Sequence, residues 1–195
     1  MTSALVGGVD PGLDGAIAFI DPDARRVVAV FYMAALTTTK DRSTKREIEP
    51  ALLLATLRQL GHPVREVFIE RAQATPQMGR SGAFNYGDSY GIARCAVAAM
   101  GWPITRVSAQ QWKKWLGVKA AKDDAIIRAS QLFPLDTGFW TPHRGQLSKT
   151  QCEGNAEATL IAAFGARRLE GATDGKQSPR NTRAGPQPAA QDRLL

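Results

Sequence analysis

Four acidic residues stand where they could act together. Asp10 follows the short apolar run ALVGGV and opens an Asp10-Pro11-Gly12 turn, Glu70 ends the run VREVFI, and Glu153 and Glu157 lie four apart in CEGNAEATLIAAFGARR. A spacing of four puts two side chains on one face of a helix. If the strands ending at Asp10 and Glu70 are parallel neighbours, both carboxylates emerge at the same edge of a sheet, where open α/β sheets place their ligands. A helix docked at that edge brings Glu153 and Glu157 within reach. Crowded carboxylates need a neutralising partner, and a hard divalent cation, Mg²⁺ or Mn²⁺, takes oxygen ligands and keeps water as the remainder. Two such ions about 3.5 to 4 Å apart can activate a water and stabilise the leaving oxygen of a phosphodiester. Taken singly, each acid has a plainer use: Asp10 as a turn residue, Glu70 in an ion pair with Arg71, and Glu153 and Glu157 as partners of a helix dipole.

The elements that must position these acids can be read from the same chain. ALVGGVD, GAIAFID and RRVVAVFYM are three consecutive strands with tight links, which favours an antiparallel meander. A polar loop follows, and Glu49-Pro50 opens an apolar helix closed near Gly61 and Pro63. VREVFIE is a fourth strand. Residues 73–84 read as a Gly, Pro and polar loop, residues 85 to about 100 as a helix rich in small residues, and PITRVS as a fifth strand. Ser108 caps the next helix, residues 120–132 form another that stops at Phe133-Pro134, and the last helix runs from about Cys152 to Arg168. The order implies an α/β fold with a five-stranded mixed sheet, three strands antiparallel and two parallel, flanked by helices. Residues 1–170 are expected to form one domain. Residues 171–195, rich in Gly, Pro and polar residues, lack the apolar surface to offset ordering and read as a disordered tail.

Composition narrows the function classes. The 195 residues carry 25 Lys and Arg against 18 Asp and Glu, a formal +7. The surplus is confined to residues 71–122, where Arg71, Arg80, Arg94, Arg106, Lys113, Lys114, Lys119 and Lys122 face one acid, Asp88. A surplus so placed suits a polyanion, and nucleic acid is the commonest; a solvated basic face is the plainer alternative. No apolar run approaches the roughly 18 residues of a membrane span, and no signal peptide is evident, so a cytoplasmic protein without membrane contact is expected. Cys95 and Cys152 form no metal-ligand spacing and read as reduced core residues.

An ordered set of segments resembles the RuvC-like Holliday junction resolvases of the RNase H-like superfamily, with the likeness strongest to phage and bacterial relatives of the monokaryotic chloroplast resolvase. The set is Gly8-Val9-Asp10-Pro11, Ile69-Glu70, Phe84 to Gly87, Trp112-Lys113-Lys114, Lys122-Asp123-Asp124, Leu132-Phe133-Pro134 and Asn155 to Gly165, spanning about residues 5–168. The resemblance implies an RNase H-like fold, a homodimer with one site per subunit, four-way DNA junctions as substrate, and two Mg²⁺ ions per site with Mn²⁺ as a substitute. It implies no organic cofactor. Asp10, Glu70 and Glu157 match the family's metal-binding acids, and Lys122 matches a lysine suited to transition-state charge, though a surface lysine at a helix start would read the same. Glu153 stands where relatives carry aspartate or histidine, and Asn155 where arginine is frequent.

In the loop after Glu70, Gln73, Gln77, Arg80 and Ser81 could bond bases or phosphates and Phe84 could stack on an unpaired base; Lys113, Lys114 and Lys119 add basic contacts. Tyr86 and Tyr90 read as packing residues. The small residues of the following helix leave a face smooth enough for close packing, and two symmetric scissile phosphates call for a two-fold dimer. Two other readings stand beside a metal-dependent junction endonuclease: a branched-DNA-binding protein of the same fold with weak or no cleavage, and a nucleotide-binding phosphotransferase of the actin and hexokinase type. The last needs a second related domain for which the chain is too short.

Overall fold

The strand nearest the N-terminus is the middle of the molecule. In the computed structural model, which describes residues 3–40, 43–73, 77–119, 123–141 and 146–173, β1 (Leu5–Val9) is buried along its whole length. It pairs antiparallel with β2 (Ala16–Asp21), which pairs antiparallel with β3 (Arg26–Tyr32). On its other side β1 pairs parallel with β6 (Val64–Glu70), and β6 with β7 (Ile104–Val107). The five-stranded order is therefore β3-β2-β1-β6-β7, the mixed sheet expected from the sequence.

Alternation along β1 splits the core into two layers. Leu5 and Val9 join Ile17, Phe19, Val67 and Ile69 under α1 (Pro50–Leu57) and α2 (Arg80–Ala99), which contribute Leu53, Leu57, Ala93 and Val97. Val6, with Ile20 and Phe68, faces α3 (Ala109–Leu116), α4 (Asp124–Leu132) and α5 (Lys149–Thr173), which supply Trp112, Leu116, Ala129, Leu160 and Ile161. Gly8 is on this second face. A Cβ there would overlap the carbonyl oxygen of Ala158 and the amide of Ala162, so its glycine lets the backbone of α5 lie directly on β1. Further along, Asp136 ties β3 to the turn after α4: it accepts from the Val27 amide at 2.9 Å and pairs with Arg26 at 2.7 Å.

Several expectations need correction. The segment read as a polar loop after the third strand is a hairpin, β4 (Ala35–Lys40) and β5 (Ser43–Ile48). Its strands are mostly exposed and polar, so no apolar alternation marks them. α2 starts at Arg80, not at residue 85, because Gly79 caps it without a side-chain bond and no cap signal is visible. The helix placed at residues 120–132 is described from Asp124. α5 is longer at both ends than the expected Cys152 to Arg168. Its start is set by Ser148 and Gln151, whose side chains accept from each other's backbone amides at 3.2 and 2.9 Å, the reciprocal capping box that S-K-T-Q encodes. Residues 171–173 continue α5 instead of beginning a disordered tail; the remainder of that tail lies outside the described residues, as does Lys122. Cys152 is buried as expected, whereas Cys95 is exposed on α2. Among the described residues no helix is long and apolar enough to cross a membrane.

Candidate active site

Register carries the first two acids together. Val9 is opposite Ile69 in the parallel pair of β1 and β6, so Asp10 and Glu70 leave the same sheet edge on adjacent strands. The turn after β1 is closed by Gly15 N–H to Gly12 O at 3.0 Å and Asp10 N–H to Ala16 O at 3.0 Å, which points Asp10 into the molecule. α5 begins above that edge. Gly154 permits it to come this close, since a Cβ there would overlap the Asp14 carbonyl, and one turn on Glu157 reaches the two strand acids.

Burial and neighbouring charge disfavour the ionised forms of the two strand acids. Burial, then the charges of Glu157 and Glu70, push the Asp10 carboxyl up to about 8 from an ordinary 3.8, with the Gly12 amide and Lys113 opposing. Glu70 is raised as well, first by burial and then by Glu157, while a hydrogen bond from the Trp112 indole and the charge of Lys113 pull it back. That bond, Trp112 Nε1–H to Glu70 Oε2 at 2.7 Å, fixes the carboxylate's orientation. Lys113 supplies the compensating charge by donating to Glu157 Oε1 at 2.8 Å. Burial works against its own charge, yet the bond to Glu157 and the fields of Glu157, Glu70 and Asp10 outweigh it and raise its pKa. α3, started by the Ser108–Gln111 capping box, thus delivers two consecutive residues to two different acids.

Asp10, Lys113 and Glu157 border a cleft of about 590 Å³ that Tyr86, Lys119 and Glu153 also line. Glu153 forms part of the wall, and its buried Oε1 has no hydrogen-bond partner. Tyr86, read from sequence as a packing residue, lines the cleft instead; burial and the charges of Glu70, Asp10 and Glu157 raise its hydroxyl pKa and keep it neutral. Tyr90 is packed inside, its hydroxyl unpartnered. The sequence also assigned no role to Trp112. Its signal was its place in the Trp112-Lys113-Lys114 segment of the family resemblance.

The remaining sequence-derived contacts are distributed around this centre. Gln73 and Gln77 are exposed in the loop after β6; Arg80, Ser81 and Phe84 are exposed in the first turns of α2, with Phe84 at 75%. Lys114 is exposed on α3 and Lys119 on the cleft rim. Lys113 is not an outer basic contact but a member of the acid cluster. Asn155 is buried and donates to the Phe139 carbonyl at 2.6 Å, a structural tie to the turn before α5. The hairpin reaches the rim too, where Arg46 on β5 pairs with Asp14 at 2.8 Å.

A hard cation suits this donor set: carboxylates gathered at one cleft, with Asp10 and Glu70 disfavoured as anions by burial and neighbouring charge, and one Glu153 oxygen with no partner. Among the described residues, however, no group of three or more His, Cys, Asp or Glu side chains is already arranged to hold a metal ion, and Lys113 provides the positive charge as the site stands.

No family model matches the chain, and no curated protein matches it in sequence. Among solved structures, Thermus thermophilus RuvC in complex with a Holliday junction substrate aligns with a TM-score of 0.53 at 16% identity, covering 84% of this chain and 96% of that one. A second Thermus thermophilus RuvC structure aligns with a TM-score of 0.49 at 18% identity, over 85% and 96%. The alignment with the junction-bound structure and the strand order β3-β2-β1-β6-β7 give this chain the RNase H-like fold in its RuvC-like form.

Proposed function

We propose that the chain is a structure-selective endodeoxyribonuclease that resolves four-way DNA junctions by metal-dependent hydrolysis, as a homodimer with one site per subunit. The observation that carries this reading is the convergence of Asp10, Glu70 and Glu157 at one sheet edge, where burial and neighbouring charge raise the first two, in a fold shared with a protein solved on a Holliday junction. Asp10, Glu70, Glu157 and Glu153 would hold the metal, two Mg²⁺ ions or Mn²⁺ in their place, which when bound supplies water activation and charge stabilisation at the leaving oxygen. The chain's own residues do the rest. Trp112 orients Glu70, Lys113 is placed to donate to a substrate phosphate in place of Glu157, and Tyr86 stays protonated as a hydrogen-bond donor into the cleft.

Exposed Gln73, Gln77, Arg80, Ser81 and Phe84 follow Glu70 and would meet the junction centre, with Lys114 and Lys119 on its arms; for Lys122 the role proposed is the one the resemblance implies, stabilising transition-state charge. The open face of α2, where a Cβ at Gly82, Gly87 or Gly91 would meet nothing within 4 Å, leaves room for a second copy.

The ion pair of Lys113 with Glu157 and the absence of a ready-made cage among the described residues favour a second reading, a junction-binding protein with weak or no cleavage. End-labelled synthetic junctions in Mg²⁺ or Mn²⁺ separate the two. Paired nicks on opposing strands are expected; tight binding with intact strands in both metals would favour the second.

A further inference from the structure

On α5, Phe164 and Arg168 follow Glu157 at seven and eleven residues, so all three lie on one stripe of the helix. On α3, Gln111, Lys114 and Trp115 likewise share a face. The two stripes meet in an open groove lined by Gln111, Lys114, Trp115, Phe164, Arg167 and Arg168. Its composition is unusual for a solvated flank. Trp115 is 52% exposed, its indole held edge-on against Phe164 at 5.9 Å between centroids, and the Arg168 guanidinium sits over the other aromatic at 5.8 Å. Arg167 also borders the adjoining depression, where Arg25 and Arg128 stand. Lys114, Arg167 and Arg168 share the groove with the exposed indole of Trp115, and Arg167 pairs with Glu170 at 2.9 Å.

Exposed aromatic surface beside Arg and Lys is the arrangement that holds a nucleic-acid strand: the cations follow the backbone and the ring stacks on a base or packs on a sugar. At 1.5 Å per residue, Phe164 lies about 10 Å along α5 from Glu157, so the groove flanks the acid cluster and does not coincide with it. We infer that the α3–α5 groove, through Lys114, Trp115, Arg167 and Arg168, is a second DNA contact that grips the strand to one side of the phosphate held at the acid cluster. The inference rests on the junction reading above. It adds residues 167 and 168, outside the basic stretch 71–122, to the DNA surface. α3 thereby serves both sites at once: Trp112 and Lys113 set the acids, while Lys114 and Trp115 hold the departing strand.

The test is equilibrium binding of a synthetic four-way junction, with the full chain, across a salt series. Arg167→Gln/Arg168→Gln is expected to weaken binding roughly tenfold near 0.1 M salt and to flatten the dependence of log Kd on log salt by about two phosphate contacts. Trp115→Ala is expected to weaken binding about five- to tenfold with the salt slope unchanged, and Trp115→Phe to recover most of it. Melting temperatures confirm that each variant is folded. Wild-type affinity and slope in both Ala and Gln variants would overturn the groove contact while leaving junction binding intact, whatever other anionic partner the groove takes. Weaker binding with an unchanged slope in the double Arg variant would overturn the phosphate assignment. A wild-type chain that binds no junction would remove the parent reading and this one together.

Discussion

Asp10, Glu70 and Trp112 hold the argument at the residue scale. A carboxyl raised to about 8 is a poor resident of a folded protein unless something cationic is meant to meet it. Trp112 acts on Glu70 in the opposite sense, keeping it ionisable through one short bond. Trp112→Phe keeps most of the buried ring and removes that bond, which to a charged acceptor is worth about 1.5 to 3 kcal/mol. Cleavage is expected to fall at least tenfold, and the acidic limb of its pH profile to move upward, because Glu70 loses an interaction that lowers its pKa; an unmoved profile would show that the indole only fills space. Glu153 departs from the family resemblance, as Asn155 does, but it is the one of the two that borders the cleft. Its unpartnered Oε1 lies against the cleft, so Glu153→Asp, which restores a residue type of relatives, is expected to retain or increase the cleavage rate. Complete loss in a single-turnover assay would show that the longer side chain is required.

At the scale of elements, the site depends on how closely α5 lies on β1. Gly8→Ala would drive a methyl into the backbone of α5 at residues 158 and 162, where no side chain can yield, and is expected to cost more than about 3 kcal/mol in chemical denaturation. A loss below about 1 kcal/mol would mean that the helix can shift and that the spacing of Asp10 and Glu157 is not set there. The five sheet strands were legible because β-branched and apolar runs ended at turn residues, and the Asp10 and Glu70 pairing followed once β1 and β6 were parallel. The hairpin β4–β5 was not, since Thr37, Thr38, Thr39 and Lys45 look alike in a loop or an exposed ribbon. The start of α5 was encoded in Ser148 and Gln151 but sits before the apolar pattern begins. Tyr86 and Trp112 escaped for another reason: which face of a helix meets the acids is decided by packing across the sheet, and sequence spacing does not carry that.

For the whole molecule, charge is divided by depth. The linear surplus in residues 71–122 spreads over α2, β7 and α3, Lys113 turns inward, and acids collect beneath it at one sheet edge. Proton linkage gives this division a measurable sign. With Asp10 near 8 when folded and 3.8 as its ordinary value, the folded chain binds more protons than the unfolded one between those limits. Metal-free stability should therefore fall as pH rises from about 4 to about 8, a window set by Asp10, with the raised Glu70 contributing in the same direction. Melting temperatures in chelator are expected to drop across that range, and Mn²⁺ is expected to restore them most at the upper end, where the acids are ionised; equal stability at both limits without metal would mean that the acids are not held under strain.

The central claim, that these acids cut DNA and do not merely sit near it, is tested most directly by comparing the wild-type chain with Asp10→Asn and Glu70→Gln on a labelled four-way junction, at protein concentrations that bind it fully and in Mg²⁺. Paired nicks by the wild type are expected, with both variants inactive and their junction affinity equal or tighter because an acidic charge facing phosphate has been removed. Cleavage by either variant at the wild-type rate would contradict the account.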